Sequence, residues 1–146
     1  MRRFTTCATA LVLVWLGTLV IAQTKITTVE EYAKLMKSNA QSNGAMNKAI
    51  GSGAYADARM QLTTLRQNFM TLQAFWTERK NDATIAIVKD GLSKLDALDK
   101  MLAAPAPDQQ AAMAAAKEVQ GTCGACHKQN REGDNQTGFK FKPGVF

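Results

Sequence analysis

The stretch AYADARMQLTTLRQNFMTLQAFW, residues 54–76, decides the fold of this chain. Its apolar side chains recur at alternating spacings of three and four residues, at Leu62, Leu65, Phe69, Leu72 and Trp76. That spacing places them on one face of an α-helix, because the helical repeat is 3.6 residues. A long helix with one continuous apolar stripe is typical of a bundle, where the stripe packs on neighbouring helices.

Three more helical segments flank this stretch. The first follows a capping box, Thr28-x-x-Glu31, and the Gly51-Ser52-Gly53 turn ends it. The four predicted helices cover about 28–50, 54–76, 82–104 and 107–131, with proline or glycine after the third and the fourth. Short loops between helices of similar length predict an all-α, antiparallel up-down-up-down four-helix bundle.

Composition narrows the class of protein. The 146 residues are 46% hydrophobic and 21% charged, which fits one globular domain and disfavours a multidomain enzyme. The net charge of +6 is spread along the chain and does not gather in a run, so nucleic acid is not an expected partner.

The N-terminal residues 1–22 are predicted to be a secretory signal peptide. Arg2 and Arg3 precede an apolar run over about 8–21, which is shorter than the ~20 residues that a spanning helix needs. The alternative is an uncleaved membrane anchor. With cleavage, the chain starts near Gln23 and loses Cys7, and the protein is periplasmic with no stable membrane anchor.

The motif that carries chemistry is Cys123-Gly124-Ala125-Cys126-His127, the C-x-x-C-H arrangement of covalent c-type haem attachment. Residues three and four apart share a helix face, so Cys123, Cys126 and His127 point the same way. The two thiols can add to the two haem vinyl groups while the imidazole binds the iron as proximal ligand. We therefore predict one haem c per chain.

Three other uses of these residues are weaker. A structural zinc site needs about four ligands, whereas the chain after residue 22 offers two cysteines and one histidine. A thioredoxin-type redox pair requires strands that alternate with helices. A disulfide between Cys123 and Cys126 would close too small a loop to stabilise the fold much.

The position of the motif, near the end of the last predicted helix, resembles that in the class II cytochromes c, the cytochrome c-prime family. The specific part is GTCGACHKQNR, residues 121–131, in which Arg131 matches the basic residue that the family usually carries four positions after the ligand histidine. Asn130 stands where the family commonly has Tyr or Phe. The resemblance covers about 29–131 and implies a haem held inside the bundle, at one end.

Met36 is the candidate distal iron ligand. Met36-Lys37 followed by Gly44-x-Met46 resembles the family pattern in which the first residue faces the distal side of the iron. Antiparallel packing also brings the start of the first helix beside the end of the fourth, which carries His127. A methionine there resembles the low-spin, electron-transfer branch, and the alternative for Met36 is a packing role in the core.

The sequence thus predicts an electron carrier and not an enzyme: a periplasmic monohaem cytochrome, monomer or homodimer, with redox proteins as partners. The main rival is a five-coordinate haem protein that binds NO or CO, and a haem-free interaction module is a remote third hypothesis. Residues expected near the haem end are Phe69, Leu72, Phe75, Trp76, Ile85 and Val88, with a basic rim of Lys25, Lys34, Lys37, Lys128 and Lys140. The helical domain is predicted to be 23–132 and the tail 133–146, either a strand-like cover on the bundle or a frayed end.

Overall fold

A computed structural model describes residues 25–134, 136 and 138–146. The elements in chain order are α1 Val29–Gly51, α2 Tyr55–Glu78, α3 Asp82–Leu102, α4 Gln109–Asn130, β1 Arg131–Asp134 and β2 Gly138–Phe141. Consecutive helices pack against each other, which confirms the predicted all-α four-helix bundle. Within the described ranges, no helix has the length and apolar character needed to cross a membrane. The predicted signal peptide over 1–22, with Cys7, lies outside these ranges.

Side-chain caps begin three of the helices. Thr28 accepts a hydrogen bond from the backbone N–H of Glu31 at 3.1 Å, and the Glu31 carboxylate accepts one from the Thr28 N–H, which is the predicted capping box. Asn81 caps α3 by accepting from the Thr84 N–H, and Asp108 caps α4 in the same way. These bonds satisfy backbone donors that a helix start leaves open.

The stripe on α2 is buried as predicted. Its side chains form one core with apolar residues of the other helices; the buried members from α2 are Ala58, Leu62, Leu65, Phe69, Leu72, Phe75 and Trp76. Helix α2 packs along both α1 and α3, and α4 packs along α3, whereas α1 and α4 approach each other at few points. The side of the bundle between α1 and α4 is therefore the most open one.

The C-terminal tail covers one end of the bundle. Strands β1 and β2 form an antiparallel hairpin, with Arg131 opposite Phe141. The Phe141 ring centroid lies 4.8 Å from that of Tyr32 and 6.2 Å from that of Trp76. Phe146 packs on Phe75 at 5.5 Å. The structure thus supports the strand-like cover, and β1 begins at Arg131, inside the predicted helical domain, because α4 ends at Asn130.

Gly91 marks a close approach of three helices. A Cβ atom at this position would clash with the Phe69 ring of α2, and it would lie 2.9 Å from Thr122 Cγ2 of α4. Because an aromatic ring and a β-branched side chain have little freedom to move aside, only glycine fits here.

We expect Gly91→Ala to lower the free energy of unfolding by about 1–3 kcal/mol, as overpacking of a core typically does. Gly121→Ala is the matched control, since a Cβ at that helical position meets nothing within 4 Å. It should leave stability unchanged or raise it by up to about 1 kcal/mol. Urea unfolding followed by circular dichroism measures both, and an equal effect of the two substitutions would contradict the packing argument.

Candidate functional site

A cavity of about 450 Å³ opens between α1 and α4. Its walls come from all four helices, and its lining is mostly apolar. The residues that form it are Met36, Asn39, Ala40, Asn43, Phe69, Leu72, Ile87, Val88, Gln120, Thr122, Cys123, Gly124, Cys126 and His127. The volume falls in the range of small-molecule and cofactor sites. We refer to this cavity as the main lobe of the cleft.

A second lobe of about 260 Å³ adjoins the first. Both lobes are lined by Met36, Cys126 and His127. The second lobe continues toward the tail, where its lining includes Arg131 and Lys140. Met36 from α1 and His127 from α4 therefore lie at the junction of the two lobes.

The two thiols of the motif face the cleft and are free. The Cys123 thiol is 3.9 Å from the Val119 carbonyl oxygen, and the Cys126 sulfur accepts a hydrogen bond from the Asn130 amide at 3.5 Å. Burial raises the pKa of both thiols above the ordinary value. They are thus protonated at neutral pH, unlike the activated thiolate of a catalytic cysteine.

His127 is half-buried beside them. Burial, together with the nearby positive charge of Arg131, lowers the pKa of His127 below its ordinary value of 6.5. The imidazole is consequently neutral at pH 7, and a neutral imidazole nitrogen is the form that binds a metal.

Asn130, one turn of α4 below the motif, forms a buried hydrogen-bond network. Its amide donates to the Thr84 hydroxyl at 2.9 Å and to the Cys126 carbonyl oxygen at 3.0 Å, and the Thr84 hydroxyl donates to Asn130 Oδ1 at 3.0 Å. Asn81, the cap of α3, also donates to Asn130 Oδ1, at 3.3 Å. The network joins the start of α3 to the end of α4 and so fixes the height of the motif in the bundle.

Most residues expected at the haem end are placed there. Phe69, Leu72 and Val88 line the main lobe, as expected. Phe75 and Trp76 lie in the aromatic cluster under the tail. Ile85 packs against the core outside the lining of either lobe, because the helical phase of α3 turns Ile87 toward the main lobe instead.

The sequence analysis did not single out Asn39, Asn43, Ile87 or Gln120, all of which line the main lobe. The signal for the first two was present in the sequence. They follow Met36 at i+3 and i+7, on the helix face that an apolar stripe would otherwise occupy.

The described residues contain no group of three or more His, Cys, Asp or Glu side chains placed to hold a metal ion. This agrees with the expectation that the motif is not a zinc site made of protein ligands alone. A metal here would need further ligands from a cofactor.

No family model matches the sequence, and no curated protein or solved structure is significantly similar to it. The interpretation of the site therefore rests on the motif residues and on the cleft.

Asn130→Ala tests the network beside the motif. The variant should lower the free energy of unfolding by about 1–3 kcal/mol, because it leaves buried partners without a hydrogen bond. A double-mutant cycle with Thr84→Val, measured by thermal or urea unfolding, should give a coupling of at least about 0.5 kcal/mol. Gln129→Ala, at an exposed position of the same helix, is the control and should change little. Additive effects of the Asn130 and Thr84 substitutions would show that the network does not act as a unit.

Proposed function

We propose that the protein is a monohaem c-type cytochrome that carries single electrons in the periplasm. One observation carries the proposal: Cys123, Cys126 and His127 face a cleft between α1 and α4 that Met36 also lines. The C-x-x-C-H spacing supplies the attachment chemistry, and the cleft supplies the space beside it.

The cleft fits a haem group in three respects. Its main lobe is lined mainly by apolar side chains, as a flat apolar macrocycle requires. Its two free thiols lie next to each other in space on one face of α4. Its single histidine is held neutral by burial and by Arg131.

Each residue has a distinct role in this proposal. Cys123 and Cys126 anchor the cofactor by thioether bonds, and His127 provides the proximal ligand nitrogen. Met36 provides the distal thioether from the opposite wall of the cleft. The haem, when bound, supplies a centre that accepts and returns one electron, while the apolar walls keep water away from it.

A dithiol redox protein is a poorer account of the same cysteines. Such proteins activate a thiolate by lowering its pKa, whereas burial raises the pKa of both thiols here. The described fold is a helix bundle with one short hairpin, so it lacks the alternating strands and helices of thioredoxin-like proteins.

Basic side chains near the cleft suggest an acidic redox partner. Lys34, Lys37 and Lys128 are exposed. Lys25 and Lys140 are exposed too, but each forms an ion pair, with Glu78 at 3.2 Å and with Glu132 at 3.3 Å. The three lysines on α1 and the end of α4 would therefore contribute most to steering such a partner.

The covalent cofactor is tested by mass spectrometry under denaturing conditions. After periplasmic expression with haem-attachment machinery, the protein should carry the mass of one haem. The double variant Cys123→Ser/Cys126→Ser should lose that mass, while Ala125→Ser, at an exposed position inside the motif, should keep it. An unmodified mass for the wild-type protein would contradict the proposal.

The distal ligand is tested by Met36→Leu. The wild-type haem should be low-spin and, when oxidised, should show the weak sulfur-to-iron absorption band near the red end of the visible spectrum. Met36→Leu should make it high-spin, with a packing cost below about 1.5 kcal/mol. Met113→Leu is the control, because Met113 is exposed and lines a different cavity. A wild-type spectrum that is already high-spin, and that Met36→Leu does not change, would favour the gas-binding alternative.

A further inference from the structure

Two amide side chains face the main lobe without a hydrogen-bond partner. The Oδ1 atoms of Asn39 and Asn43 are buried, and neither has a donor within reach among the described residues. Asn39 is the more enclosed of the two, at 8% exposure. Both lie on the same face of α1 as Met36, at i+3 and i+7, and all three line the main lobe.

An unpaired amide oxygen in such a place is unfavourable. Burial of a polar group without a partner typically destabilises a protein by about 1–3 kcal/mol, and such groups are rare in folded chains. Other asparagines of the chain have partners: Asn47 donates to the Asn43 carbonyl oxygen at 2.9 Å, and Asn68 donates to the Ser38 hydroxyl at 3.0 Å. The two cleft amides thus point to a partner that enters the main lobe.

The chemistry of the lobe restricts what this partner is. No Lys, Arg, Asp or Glu of the described residues lines the main lobe, whereas Arg131 and Lys140 line the adjoining one. An anion beside the two amides would be buried without a cation, at a high cost in free energy. Because the unpaired atoms are acceptors, a matching molecule offers an N–H or O–H donor.

We propose that Asn39 and Asn43 make the α1 side of the cleft a binding position for one small neutral molecule that donates a hydrogen bond, with water as its smallest example. This site rests on the haem-binding function proposed above, since the molecule sits between the amides and the cofactor. It makes the cleft selective for exogenous ligands that carry a donor over ligands of the same shape that lack one.

The test compares imidazole with 1-methylimidazole as ligands of the oxidised, haem-loaded protein. Both offer the same type of ligating nitrogen, but the second carries a methyl group in place of the N–H donor. Met36→Ala is used as the background, so that the thioether does not compete. Optical titration gives both dissociation constants, and imidazole should bind about fivefold more tightly, which corresponds to one neutral hydrogen bond of about 1 kcal/mol.

Asn39→Leu and Asn43→Leu in the same background remove the acceptors at similar volume. At least one of them should abolish the preference for imidazole, whereas Asn47→Leu, whose amide is bonded outside the lobe, should retain it. Steric exclusion of the methyl group predicts the opposite result, a preference that survives all three substitutions. That result would overturn the proposal.

Thermal unfolding of haem-loaded protein with Met36 intact gives a second, independent readout. If a molecule pairs with Asn39, then Asn39→Leu lowers the melting temperature; if the amide has no partner, removal of an unpaired polar group raises it. A raised melting temperature would count against the site. Denaturing mass spectrometry separates the two proposals: absence of covalent haem overturns both, whereas attached haem with an unchanged ligand preference overturns this one alone.

Discussion

Burial of the apolar stripe of α2 is the constraint on which the rest of the structure depends. Each Leu or Phe that leaves water along the stripe contributes about 1.5–3 kcal/mol, so the helix is covered on both sides, by α1 and by α3. Helix α4 packs on α3 through the small buried residues Ala112 and Ala116. The fourth side, between α1 and α4, is left as the place where the bundle can open into a cleft.

The end of the cleft is held by polar and aromatic contacts. Asn130 ties the end of α4 to Thr84 of α3, and its backbone oxygen accepts a hydrogen bond from the Lys142 N–H of the tail at 3.0 Å. Phe141 of the tail then packs on Tyr32 and Trp76. The motif residues therefore sit between a fixed helix end and a covered aromatic cluster, which positions them without any disulfide.

The cleft is electrically neutral at its centre. Burial raises the pKa of the two thiols and lowers the pKa of His127, so that all three groups are uncharged at neutral pH. Burial also raises the pKa of Tyr32, which lies near Cys126, far above its ordinary value. Thioether attachment and axial ligation use neutral thiols and a neutral imidazole, so the environment that the fold creates suits the chemistry that the motif predicts.

The sequence by itself determined the elements of the bundle and the motif of the site. Helical periodicity, the Thr28 capping box and the glycine and proline breaks are local signals, and the spacing of Cys123, Cys126 and His127 needs only the geometry of one helix. Tertiary structure alone decided that Gly91 meets Phe69, that Asn130 pairs with Thr84, and that the amides of Asn39 and Asn43 face a cavity. These are contacts between helices, and a one-dimensional pattern gives the face of each helix but not the partner across the interface.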